Sequence, residues 1–154
     1  MLDVFLGRVE FLGDSAEVFR ANHDGRLIGH LAAVSVPTIF YIVRRNAGYE
    51  RAGLVVRECL DSFTIVPAGR STIELACTLP SRDLEDNIQP ASALEAGLDA
   101  IVTRDPAGYL PAQLRVLTPA EIRVELARYA AGGTGVSPVL VGLRPGRNAT
   151  AAGA

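Results

Sequence analysis

Residues 83–105 read DLEDNIQPASALEAGLDAIVTRD, and this stretch predicts a helix followed by a buried strand. The composition from Leu84 to Ala96 favours a helix, and Gly97 is a typical residue at which a helix ends. Ala100–Thr103 is a short apolar run of the kind found in buried strands. Asp105 is therefore predicted to lie at the carboxyl end of a strand.

The rest of the chain extends this alternation of helices and strands in both directions. Further strands are predicted at Leu27–Val34, Phe63–Val66 and Arg115–Leu117, and the predicted helices are Asp14–His23, Ser35–Gly48, Glu50–Asp61, Ser71–Thr78 and one that begins at Thr118. Strands separated by helices favour a parallel sheet with helices on both faces. Ligands of such sheets bind at the carboxyl ends of the strands. The fold class is therefore α/β.

The bulk composition is that of one folded domain. The chain has 154 residues, a formal net charge of −2 and 49% hydrophobic residues. No apolar run approaches the roughly 20 residues of a membrane span, and the start lacks the basic region of a secretory signal, so a cytoplasmic protein is expected. Cys59 and Cys77 are too few for a disulfide framework and lack zinc-type spacing, so both are predicted to be buried thiols.

The composition changes near residue 130, which divides the chain into two parts. Residues 1–130 are expected to form the domain. Residues 131–154 are rich in Gly, Ala and Pro and show no periodicity. They are expected to be a disordered tail that adds nothing to the core.

Three acidic side chains are candidates for a metal site. Asp83 and Asp86 are three residues apart near the start of a predicted helix, so they share one face of it. Asp105 follows a strand, and a helix start and a strand end can meet in one crevice. Oxygen ligands of this kind suit Mg²⁺ or Mn²⁺. The simpler interpretation, equally weighted for Asp83 alone, is that Asp83 and Glu85 only favour the positive end of the helix.

Residues 83–105 closely resemble the second half of PIN domains, and the resemblance continues elsewhere in the chain. Residues 117–121, Leu-Thr-Pro-Ala-Glu, match a closing phrase of one bacterial PIN subgroup. Residues 2–8 look like the segment after the family's opening Asp-Thr-Asn motif, and residues 33–43 like the segment that often carries a second acidic residue. The resemblance reaches to about Leu126 and implies a PIN-like parallel sheet flanked by helices on both faces.

The resemblance implies a metal-dependent endoribonuclease of the kind that is often the toxin of a type II toxin–antitoxin pair. Single-stranded RNA is the expected substrate, because a narrow acidic crevice does not easily admit a duplex. It implies Mg²⁺ or Mn²⁺ as cofactor, an antitoxin protein as partner and a possible homodimer. By motif match, the catalytic metal ligands are Asp86 and Asp105, with Asp83 assisting. The implied supporting residues are Thr103 and Thr38. Arg82 and Arg104, the arginines nearest to these carboxylates in sequence, are expected to contact RNA phosphates.

The chain departs from the family pattern in three places. The opening Asp-Thr-Asn is absent, so the first strand, central in this fold, is expected to be missing, and a further Asp would come from residues outside this chain. Thr38 stands where many members have Glu, and Pro90 is expected to kink the helix after Asp86. Either Met1 is an internal codon or the gene is a truncated remnant; the first account is favoured because the remaining pattern is intact.

Two other functions stay open from the sequence. A catalytically inactive PIN-like remnant would keep the fold as a binding or assembly module. An unrelated flavodoxin-like regulator is a third alternative, since that fold also places acidic residues at strand ends.

Overall fold

A parallel sheet forms the centre of the protein in a computed structural model that describes residues 9–106, Tyr109, 114–130 and 137–141. The strands are β1 (Leu27–Ala32), β2 (Thr64–Val66), β3 (Ala100–Val102), β4 (Arg115–Leu117) and β5 (Ser137–Val141), and the helices are α1 (Val9–His23), α2 (Ser35–Ser62), α3 (Arg70–Thr78), α4 (Leu84–Glu95) and α5 (Pro119–Ala130). The strand order is β2-β1-β5-β3-β4, and all neighbouring strands are parallel.

Helices cover both faces of the sheet, as the alternating pattern predicted. On one face, α1, α2 and α5 pack against β1 and β3 through a cluster that includes Leu27, Leu31, Ile39 and Val55. On the other face, α4 packs against the sheet through a smaller cluster around Ile101, and α3 packs against α4 through a third cluster around Ala76. Burying each large aliphatic side chain stabilises the fold by about 1.5–3 kcal/mol. The predicted α/β class is confirmed.

Strand β5 occupies the middle of the sheet, which corrects the sequence interpretation of the C-terminal segment. On one side Ser137 is in register with Leu27 of β1, and on the other side Val139 is in register with Ala100 of β3. The expectation that residues 131–154 contribute nothing to the core is therefore wrong for these five residues. The remaining tail, at 131–136 and 142–154, lies outside the described residues.

In register terms, Ser137 lies beside Leu27 and Leu140 beside His30, so β5 is paired along one side with β1. Its other side is paired with β3, where Val141 lies beside Val102. Pro138, the second residue of β5, has no amide hydrogen, so β5 donates no backbone hydrogen bond at this position. The fold therefore has a central strand, and this strand comes from the C-terminal part of the chain. Residues 137–141 are short, contain Pro138 and lie between glycines, so the local sequence gave no signal of this role.

The helices differ from the predictions mainly at their ends. Helix α1 already includes Val9, five residues before the predicted start at Asp14, because Gly13 is tolerated inside a helix at a cost of about 1 kcal/mol. Gly48 has φ 86° and interrupts α2 with a kink, as predicted. Helix α4 continues through Pro90 to Glu95, and Gly97 follows with φ 63°. Residues 2–8, which resemble the segment after the family's opening motif, lie outside the described residues.

The two cysteines have different environments. Cys59 is fully buried in the main core, and this burial raises the pKa of its thiol to about 12, with a smaller contribution from the charge of Glu58. Cys77 is exposed, so the prediction that both thiols are buried is wrong for this residue. Within the described part of the chain, no helix has the length and hydropathy needed to cross a membrane.

Candidate functional site

Polar side chains collect at the carboxyl edge of the sheet, where β1 and β3 end. Helix α2 begins three residues after β1, so its first turn lies at this edge. Helix α4 leads back into β3 and therefore starts at the same edge. The hydroxyl of Thr38 donates a hydrogen bond of 2.9 Å to Oε1 of Glu85, which ties the first turn of α2 to the first turn of α4. These two helix starts form one side of the candidate site.

Thr103 shapes the turn that carries Asp105. Its amide donates to the carbonyl of Leu117 at 2.8 Å and continues the pairing between β3 and β4. Its side chain is buried, and its Oγ1 accepts a hydrogen bond of 3.2 Å from the amide of Asp105. Asp105 is exposed at this edge. Thr103 thus supports Asp105 through the backbone.

The start of α4 is held by two polar side chains. Asp83 is the N-cap residue, and its Oδ1 accepts a hydrogen bond of 2.9 Å from the amide of Glu85. Asn87 is buried, and its Nδ2 donates to the carbonyls of Leu79 and Ser81 at 3.0 and 2.9 Å. These contacts fix the turn on which Asp86 stands half-buried. Asp83 therefore caps α4, as the simpler interpretation expected. Its role as a metal ligand stays a prediction.

A buried hydrogen bond connects the chain after Asp105 to the helix that carries Asp86. The hydroxyl of Tyr109 donates to Oε1 of Gln89 at 2.7 Å, and both side chains are buried. Gln89 lies three residues after Asp86, hence on the same face of α4, and Tyr109 lies four residues after Asp105. The two predicted metal ligands therefore belong to one edge of the sheet and to two segments that contact each other.

The sequence interpretation missed several residues of this region. Glu85 was assigned only a helix-end role, although it contacts Thr38 across 47 positions of the chain. Asn87, Gln89 and Tyr109 carry no motif of their own, and their roles depend on contacts between distant segments. The proline-containing helix gave one usable signal, because polar residues at 87 and 89 stand in an otherwise apolar stretch.

The two arginines predicted to contact phosphate lie on the surface. Arg82 is exposed just before α4. Arg104 is exposed just after β3 and lines an open cleft together with Gly13–Ser15 and Thr118–Ala120. Both positions flank the carboxyl edge of the sheet. A phosphate contact by either residue remains a prediction.

The donor set at this edge fits a hard divalent cation. Within the described residues, no three His, Cys, Asp or Glu side chains form a group that could hold a metal. Mg²⁺, however, is commonly held by one or two carboxylates, with water completing its octahedral shell. The donors of Asp86 and Asp105 are oxygen atoms, as this chemistry requires. That these two residues hold such an ion stays a prediction.

Ser35 supplies an independent sign of an unmet polar contact. Its side chain is 1% exposed at the first turn of α2, and its Oγ has no hydrogen-bond partner. Ser35 does not cap α2, because the N-cap residue is Val34 and no side chain caps the helix. A buried hydroxyl without a partner costs about 1–3 kcal/mol. A water or ligand oxygen bound at this edge would satisfy it.

Replacing Ser35 by alanine is expected to leave the free energy of unfolding unchanged or to raise it by about 1 kcal/mol, because an unpaired hydroxyl is removed. The activity of the site should fall roughly 10-fold, the value of one lost hydrogen bond to a bound group. Urea unfolding and an activity assay measure the two effects.

The matched control is Ser92→Ala, which removes a buried hydroxyl that donates to the carbonyl of Ile88 at 2.8 Å. This variant should lose about 1 kcal/mol of stability and keep its activity. If Ser35→Ala destabilised the protein as much as Ser92→Ala and stayed fully active, Ser35 would have no place in the site.

Comparison with known proteins adds one finding. A family model described as PIN domain matches residues 1–107, which is more than two thirds of the chain. The matched range contains α4, β3 and both Asp86 and Asp105. No curated protein and no solved structure matches the chain.

Proposed function

The chain belongs to the PIN domain family, whose members are generally nucleases, and on this premise we propose that it is an endoribonuclease dependent on Mg²⁺ or Mn²⁺. The observation that carries the proposal is the position of Asp86 and Asp105 at one edge of the sheet. Each comes from a different element, and the segments that carry them are joined by the hydrogen bond between Tyr109 and Gln89.

In the proposed site, Asp86 and Asp105 hold the metal. A bound divalent cation supplies activated water at neutral pH and stabilises charge on the phosphodiester. Thr103 keeps the turn at Asp105 in place, and Thr38 holds Glu85 beside Asp86. Asp83 caps the helix and, by the family resemblance, assists the metal ligands.

Single-stranded RNA is the proposed substrate, because an acidic crevice flanked by helix ends admits one strand more easily than a duplex. The exposed guanidinium groups of Arg82 and Arg104 are proposed to contact its phosphates. We further propose that the protein is the toxin of a type II toxin–antitoxin pair in the cytoplasm. Its proposed partners are a cognate antitoxin and a second copy in a homodimer.

The proposal is tested by incubating the full chain with a fluorescent single-stranded RNA and Mn²⁺ or Mg²⁺. Cleavage is expected with either ion, should stop when EDTA is added, and should return when Mn²⁺ is supplied in excess. A duplex of the same sequence serves as the control and should be cut more slowly. Cleavage that persists in EDTA would exclude the metal-dependent reaction.

A catalytically inactive binding or assembly module is the second candidate, and one sequence feature favours it. The resemblance places an Asp directly after the central strand, whereas β5 is followed by Gly142 and Leu143. A chain that bound neither Mn²⁺ nor Mg²⁺ and cut no RNA would support this alternative over the enzyme.

A further inference from the structure

The outward face of the first half of α2 carries two exposed aromatic side chains. Tyr41 is 65% exposed and Tyr49 is 69% exposed, although large aromatic residues usually bury most of their surface. The fold does not need these rings for its core. Their exposure calls for a ligand with a flat apolar surface.

Helix geometry places two arginines one turn after Tyr41. Ile39 and Val43 are fully buried and define the inward face of this part of α2. Tyr41 points to the opposite side, and Arg44 and Arg45, three and four residues later, flank it on the helix surface. Both arginines are exposed.

The aromatic rings form one patch, which we define as Phe40, Tyr41 and Tyr49. The ring centroid of Phe40 lies 6.0 Å from that of Tyr41 and 5.7 Å from that of Tyr49, both with edge-to-face geometry. Phe40 itself packs partly against the main core, which anchors the patch. The kink at Gly48 allows Tyr49 to approach Phe40.

The patch starts next to the candidate site. Tyr41 follows Thr38 by three residues, a rise of about 4.5 Å along the helix. Thr38 donates its hydroxyl hydrogen to Glu85, the residue before Asp86. A strand of RNA leaving the site along α2 would therefore meet Tyr41 within about one nucleotide.

The charge of this segment selects the ligand. Residues 39–49 contain two arginines and no acidic residue. Exposed aromatic rings beside arginines bind single-stranded nucleic acid, because bases stack on the rings while the guanidinium groups contact phosphates.

We propose that the patch of Phe40, Tyr41 and Tyr49, with Arg44 and Arg45, is a stacking surface for the bases of single-stranded RNA next to the cleavage site. This inference rests on the proposed function, since it assigns part of the substrate path. It predicts that the rings contribute to RNA affinity and not to the chemical step.

The test measures binding of a fluorescein-labelled ten-nucleotide oligouridine to the full chain by anisotropy, in EDTA to prevent cleavage. Tyr41→Ala combined with Tyr49→Ala is expected to raise the Kd at least about 10-fold, because base stacking is lost at two positions. Tyr41→Phe with Tyr49→Phe should keep the wild-type Kd, since phenylalanine rings stack equally. Cleavage at saturating RNA should stay at the wild-type rate in both double variants.

The control for exposed apolar surface is Leu54→Ala with Leu60→Ala, on the second half of α2, where the side chains are 53% and 55% exposed. It should leave the Kd unchanged. Suppose that the wild-type chain cleaves RNA and that the alanine double variant binds the oligonucleotide with the wild-type Kd. The stacking surface would then be refuted and the proposed function would stand. If the alanine double variant kept the wild-type Kd but changed its oligomeric state, the patch would be assigned to protein contacts and the stacking surface would be refuted. A wild-type chain that neither bound nor cut RNA would refute both.

Discussion

A chain that ends at residue 130 is expected to lose its cooperative unfolding transition, because it lacks the central strand of the sheet. Strand β5 is paired with β1 on one side and with β3 on the other. Without it, the inner ladder groups of both neighbours lose their partners, at about 1–3 kcal/mol for each group that stays buried. Several such losses exceed the total stability of a typical domain, about 5–15 kcal/mol.

Far-UV circular dichroism during urea unfolding measures this effect. The matched control ends at residue 143 and keeps β5, so it should unfold with a midpoint close to that of the full chain. Val139→Pro in the full chain is an intermediate case, because it removes one backbone donor in the middle of β5 and should cost about 1–3 kcal/mol. If the chain ending at residue 130 unfolded with the midpoint of the full chain, β5 would not be part of the folded sheet.

Replacing either predicted metal ligand by its amide has the second large expected effect. Asp86→Asn and Asp105→Asn should each lower the rate of RNA cleavage about 100-fold or more, because each removes a charge that holds the cation at the reacting phosphate. Both side chains are at least partly exposed, so the folded state should persist. Initial cleavage rates at saturating Mn²⁺, with unfolding curves for each variant, measure the two quantities.

Asp99→Asn is the matched control for these two variants. Asp99 is an exposed carboxylate just before β3, at the opposite end of the strand from Asp105. The same change of charge at this position should leave the cleavage rate within a factor of about two, since surface charges far from the site contribute little. Equal losses in all three variants would show a general effect of charge and not a site.

Local signals explain which parts of the fold were predictable. Asp83 caps α4, Gly97 adopts a positive φ after it, and Thr118 with Glu121 forms a reciprocal cap at the start of α5. Each of these features depends on residues within a few positions, so the sequence pattern suffices to find it.

The position of β5 depends on distant partners and could not be found in this way. Ser137–Val141 is short, contains Pro138 and follows a glycine-rich stretch, which is typical of a tail. Only the gap between β1 and β3 gives this segment its two neighbours. Propensity is a weak guide where tertiary pairing decides the structure.

The candidate site was predictable to a similar extent. The family resemblance pointed to Asp86 and Asp105, and the topology brings the ends of their elements to one edge of the sheet. The contact between Thr38 and Glu85 and the unpaired hydroxyl of Ser35 depend on how α2 packs at that edge. No spacing in the sequence predicts them.

Mn²⁺ titration followed by electron paramagnetic resonance tests directly whether Asp86 and Asp105 share one ion. The wild-type chain, the two single Asn variants and the double variant are compared. A shared ion predicts that each single variant loses most of the affinity and that the double variant binds no more weakly than the weaker single one. Wild-type affinity in either single variant would contradict the shared site.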